Sequence, residues 1–148
     1  MNNERVMSKK PLLKLILKPQ VLVVGYAALI FILSSIPHLT PPKLEFILFD
    51  KIIHFALYSF LSYLLFFAFF KTQKNLFHKN AHLFSISIGI LYALTDELHQ
   101  KFVPGRSCDF FDFLADGIGV VLIQIILWWR YKTKTKKDEP ANLRINPL

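Results

Sequence analysis

The side chains able to do chemistry in this sequence fall into three short clusters. Asp50, Lys51, His54 and Tyr58 form the first. Tyr92, Asp96, Glu97, His99 and Gln100 form the second. Arg106, Asp109, Asp112 and Asp116 form the third. Imidazole and carboxylate groups together can hold a divalent cation or move protons. His54, Asp96, Glu97 and His99 are therefore the catalytic candidates, with His99 or Glu97 as general base and His54, Asp96, Glu97 and Asp112 as a cation's ligands. Arg106 and Lys51 could meet a phosphate or carboxylate, the arginine in a bidentate way. The chain has no His-Glu-x-x-His element and no serine nucleophile motif. Its single cysteine, Cys108, excludes an internal disulfide and a multi-cysteine metal site.

The spacing predicts how these clusters are carried. Asp50, His54 and Tyr58 lie four apart, so a helix puts them on one stripe. Tyr92, Asp96, His99 and Gln100 share a second stripe. Asp109, Asp112, Asp116 and Gly119 share a third. Between the last two stripes, Val103-Pro104-Gly105-Arg106 reads as a type II turn, with proline presetting φ and glycine accepting a positive φ. The stretch from Tyr92 to Gly119 is thus the tip of a helical hairpin.

The clusters sit in apolar sequence. The chain is 53% hydrophobic with fifteen phenylalanines, and its mean hydropathy is +0.40. Four runs of membrane-spanning length account for this, at about 20–36, 50–70, 81–101 and 110–129. The expected fold is all-α, a polytopic membrane bundle of four transmembrane helices over residues 20–130. Residues 1–19 read as a basic amphipathic segment lying on an anionic leaflet. Residues 37–49 read as a loop, in which 46–49 form an apolar foot. Residues 71–80 read as a polar loop. The tail over 131–148 is lysine-rich and reads as disordered. The chain shows no internal repeat.

Charge orients the bundle. The net charge is +8, but the basic residues flank apolar runs, which is a topology signal and not a nucleic-acid footprint. Fourteen of the eighteen lysines and arginines lie in the N-terminal segment, the 71–80 loop and the tail. Both termini are expected in the cytoplasm, with the protein in the inner (cytoplasmic) membrane. The three polar stripes then open outward. Asp116 would lie about 9 Å below the start of its helix, at a depth where an acidic residue faces the bundle interior and finds partners. An outward-opening pocket between the second, third and fourth spans follows. Gly117 and Gly119 would let the fourth span approach a neighbour closely.

Plainer roles compete. Asp109 could cap the fourth helix and Asp50 the second. Lys51 and Lys101 could snorkel to headgroups. His38, His78 and His82 read as incidental. The whole cluster could be a polar network that only locks the bundle.

The sequence resembles the VanZ-like family of small bacterial membrane proteins, named from a teicoplanin-resistance determinant. The resemblance runs over about residues 30–120. It rests on Leu33-Ser34-Ser35-Ile36-Pro37, on Asp50-Lys51-Ile52-Ile53-His54-Phe55 with Tyr58, on Tyr92 and Asp96-Glu97-Leu98-His99-Gln100, on Phe102-Val103-Pro104-Gly105-Arg106, and on Asp112-Phe113-Leu114-Ala115-Asp116 with Gly119. Asp116 departs from the asparagine more usual in that pattern. The resemblance implies glycopeptide (teicoplanin-type) resistance for some members and no settled reaction.

The expected function is an outward pocket that binds or modifies a lipid-linked cell-envelope component or a glycopeptide antibiotic. Its expected lining is Asp50, Lys51, His54, Tyr58, Asp96, Glu97, Gln100, Arg106, Asp112 and Asp116. The alternatives are a metal-dependent hydrolase or transferase on a lipid-linked substrate, and a small proton-coupled transporter. Whether the chain is an enzyme stays open. The residues establish no cofactor, and a divalent cation is the one they could hold. Expected partners are membrane lipids, a lipid-linked cell-wall precursor or lipoglycopeptide, and a second copy of the chain, with no nucleic acid.

Overall fold

A computed structural model describes residues 18–37 and 44–138. Its regular structure is entirely helical: α1 Pro19–Ser34, α2 Leu44–Phe70, α3 Asn75–Lys79, α4 Ala81–Gln100 and α5 Phe110–Asp138. The expected amphipathic segment lies mostly outside the described residues, as does the end of the tail.

Helix α1 opens with a proline, whose missing N–H costs nothing at a first helical position. It closes at Ser35, whose N–H and hydroxyl both turn back to the Phe31 carbonyl. Helix α2 begins at Leu44, not at Asp50. The run 46–49 is thus the first part of α2 and no separate foot, since extending a nucleated helix gains a hydrogen bond per residue. Within the expected 71–80 loop, α3 forms a short helix. Helix α5 runs to Asp138, so the tail does not lose its structure at Tyr131. Ordinary helix physics carries it on. Lys132 sets its ammonium over the Trp128 ring one turn back, and the Tyr131 ring meets Phe70 edge-on.

Helix α2 is central and packs against α1, α4 and α5, while α1 leans on α2 and α4. Ile30, Tyr58, Leu61, Leu65, Ala93 and Val120 form the buried core. Gly119 sets the α2–α5 distance. A Cβ there would lie 2.5 Å from the Phe55 carbonyl oxygen and 2.8 Å from Ser59 Oγ, so only a hydrogen fits without parting the helices. The expectation holds for Gly119 and fails for Gly117, where a Cβ would meet nothing within 4 Å. The two glycines are two residues apart and so face different sides of the helix.

Polar side chains share the interior with the apolar core, while many large apolar side chains are exposed. Ser62, Asp96, Glu97, Gln100, Asp112, Asp116 and Gln124 are buried, while Phe60, Leu91, Phe111, Ile118, Ile125 and Trp129 are exposed. Exposed apolar surface of that extent is what a membrane or another protein surface would cover. Phe49–Phe70 and Phe110–Lys134 are long and apolar enough to cross a membrane, and α1 is a shorter apolar helix. Of the four expected spans, these two meet the length and composition of a span. Helix α4 dilutes its apolar run with Asp96, Glu97, His99 and Gln100.

Candidate functional site

The tip of the hairpin is built as its sequence predicts. The Arg106 N–H returns to the Val103 carbonyl at 3.1 Å, and Gly105 takes a φ of 76°, closing a turn that needs glycine at its third position. Past the turn, Asp109 Oδ1 accepts the Phe111 N–H at 2.8 Å and so caps α5. Its other oxygen accepts from Lys51. Burial pushes the Asp109 carboxyl up, but the Lys51 ammonium and the Phe111 N–H outweigh it and hold it below the usual carboxylate range. Asp50 is no cap, because α2 begins more than a turn before it.

Beneath the tip lies a cavity of about 190 Å³. Its polar lining is Ser34 of α1, Asp50, His54 and Tyr58 of α2, Asp96 and Gln100 of α4, and Arg106 of the turn. Its apolar wall is Ile30 and Leu33 of α1 with Ile53 and Leu57 of α2. Six of the ten residues expected to bind therefore line it. The other four stand beside it. Lys51 donates to Asp109 and, at 2.6 Å, to Asp112. Glu97 accepts the Asp109 N–H at 3.0 Å and so braces the hairpin. Asp116 is fully buried and pairs with His54, Oδ1 to Nδ1 at 3.1 Å.

Arg106 is anchored. Its Nη2 donates to the Leu33 carbonyl at 2.9 Å, its Nε to the Ile36 carbonyl at 3.4 Å, and its Nη1 to Gln100 Oε1 at 3.4 Å. Two of its five N–H groups thus hold the end of α1 to the tip, a third goes to Gln100 of α4, and two remain for a ligand. Tyr58 Oη is fully buried beside Asp96. Asp96 accepts from Gln100 at 3.2 Å on one oxygen, and its other oxygen has no hydrogen-bond partner.

His99 turns away from the cavity. It stacks on Phe31 at 4.5 Å and bonds Ser35 at 3.0 Å, so its place is the α1–α4 seam. Being three residues from Asp96 on a helix does not by itself settle which seam a side chain enters. Among the described residues, two groups hold ligand atoms within 4.8 Å of one another: Asp50, His54 and Asp112, and His54, Glu97 and Asp116. The expected set of His54, Asp96, Glu97 and Asp112 is not brought together, because Lys51 engages Asp112 and Asp96 turns toward Tyr58 and Gln100.

Two features escape the reading of the sequence. Helix α1 walls the cavity. A second polar layer lies farther along the bundle, where Gln124 donates to Ser62 at 2.8 Å and His82 Nδ1 meets Gln124 Oε1 at 2.8 Å. His82 is thus a partner in a buried network and not incidental. The signal was present: Ser62 continues the 50-54-58 series of four, and Gln124 lies eight residues beyond Asp116.

A family model described as VanZ/LLP1 matches residues 4–131. No curated protein and no solved structure matches the chain.

Proposed function

We propose, for a chain that belongs to the VanZ/LLP1 family, that it is a four-span inner-membrane protein whose outward pocket binds the polar end of an amphiphilic cell-envelope molecule. That molecule is a lipid-linked cell-wall precursor or a lipid-tailed glycopeptide of the teicoplanin kind. The observation that carries the reading is the two-sided lining of the 190 Å³ cavity. Asp50, Asp96 and Gln100 offer acceptors to hydroxyl and ammonium groups, and Arg106 keeps two donors for a phosphate or carboxylate. Ile30, Leu33, Ile53 and Leu57 offer an apolar face beside them. An enzyme that modifies the same molecule is the second reading, favoured by the grouping of His54, Glu97 and Asp116.

Topology is the first test. Fourteen of eighteen basic residues flank the ends assigned to the cytoplasm, so a cytoplasmic reporter fused to the C-terminus is active and a periplasmic one silent. The reverse pattern turns the pocket inward and ends this reading. Binding is the second. The full chain in lipid nanodiscs takes up teicoplanin or an undecaprenyl-linked precursor, and Asp96→Asn weakens that uptake roughly tenfold, as loss of a charge-assisted hydrogen bond does. Equal affinity in wild type and variant, or no uptake of either molecule, defeats the assignment of the pocket.

A further inference from the structure

We infer that His54, Glu97 and Asp116 form a binding site for one divalent transition-metal cation, zinc or manganese, beside the pocket that His54 lines.

Three observations carry it. The first is geometry. One ligand atom from each residue lies within 4.8 Å of the others, and they come from three helices, α2, α4 and α5. Ligands at about 2.1 Å from zinc stand roughly 3.4 Å apart in a tetrahedron, so small side-chain rotations close the site. The second is an orphan acceptor. Asp116 is 0% exposed and its Oδ2 has no hydrogen-bond partner. A buried carboxylate oxygen without a partner is costly, and a cation satisfies it.

The third is charge. Six carboxylates gather at the tip: Asp50, Asp96, Glu97, Asp109, Asp112 and Asp116. Lys51 is taken by Asp109 and Asp112, and the hydrogen bonds of Arg106 go to carbonyl and amide oxygens. The buried carboxylates of Glu97 and Asp116 are left with His54 as their nearest source of positive charge. Uncompensated buried charge is unstable, and a divalent ion supplies what lysine and arginine do not. One imidazole with two carboxylates suits zinc or manganese better than calcium or magnesium, which prefer all-oxygen sites. Three protein ligands also leave a coordination position open, as in catalytic zinc sites. This inference goes beyond the pocket's ligand, since the three side chains would hold a cation whichever amphiphile enters.

The test uses the full chain purified in detergent and stripped with EDTA. Calorimetric titration with ZnCl2 and MnCl2 is expected to give one site per chain. Glu97→Gln and Asp116→Asn are each expected to weaken that site at least tenfold, while Cys108→Ser leaves it unchanged. ZnCl2 is also expected to raise the melting temperature of the stripped wild type, a readout that needs no variant to fold. Absence of binding with no change in melting overturns the inference, and so does zinc binding that both carboxyl variants retain, which marks a surface site. Loss of binding in Cys108→Ser overturns it as well. Failure of teicoplanin or precursor uptake bears on the pocket alone.

Discussion

His54→Leu is expected to cost the bundle about 3–5 kcal/mol, the usual penalty for removing one member of a buried charged pair. Asp116 is fully buried, its Oδ1 meets His54 Nδ1 at 3.1 Å, and its Oδ2 has no hydrogen-bond partner. Leucine fills most of the volume of the ring but leaves the carboxyl with no donor. Replacing both members, His54→Leu with Asp116→Leu, is expected to recover most of the loss, because an apolar pair carries no desolvation cost. The measurement is thermal unfolding in detergent with EDTA present, so that no cation contributes. A single variant that melts with wild type, or a double variant that melts below the single, would show that the pair does not support the fold in this way.

Arg106→Ala carries the second large effect. The guanidinium joins the Leu33 and Ile36 carbonyls to Gln100, so its removal frees the end of α1 and takes the cavity's cationic rim with it. A charge-assisted hydrogen bond contributes roughly 1.5–3 kcal/mol, which is more than tenfold in affinity. Loss of ligand uptake is therefore expected, together with faster hydrogen exchange in the last turn of α1. The substituted residue lies near the solvent end, so membrane insertion is expected to stay normal. Arg106→Lys is not expected to rescue, since an ammonium cannot reach three acceptors set by a planar fork. Uptake equal to wild type in Arg106→Ala would remove Arg106 from the site. Exchange unchanged at α1 would show that the clamp is unimportant.

Much of this arrangement is legible in the sequence. Helical periodicity places Asp50, His54 and Tyr58 on one stripe, and the cavity receives all three. Pro104-Gly105 dictates the turn, because few residues accept φ near 76°. Partner choice was less legible. Which acidic residue Lys51 engages depends on rotamers and on the α2–α5 separation fixed by Gly119, and no spacing rule contains either. Arg106 finds backbone carbonyls seventy residues away, and a carbonyl leaves no mark on the amino-acid sequence. The part played by α1 is only partly legible: it meets the site through Ile30, Leu33 and Ser34, and while Leu33-Ser34 belongs to the family pattern, Ile30 looks like any lipid-facing residue. Composition alone misplaces the start of α2 and the end of α5, because it does not contain helix propagation. Loop-like or charged residues continue a helix once its first turns are fixed.

Among the described residues, α1 is held without an ion pair, whereas α2 and α5 share two. Between α2 and α5, Lys51 meets Asp112 and His54 meets Asp116, beside Ser62 and Gln124 bonds that also use main-chain carbonyls. Toward α1 the acceptors are repeatedly main-chain carbonyls: Tyr92 Oη to Ala27, and Arg106 to Leu33 and Ile36. A helix offers an equivalent carbonyl at every turn. Those bonds therefore carry less register information than the ion pairs, and the register of α1 is read instead from the Ser35–His99 bond and the Phe31–His99 stack. The pocket thus has its α2 side locked to α5 by ion pairs and its α1 side keyed in part to His99.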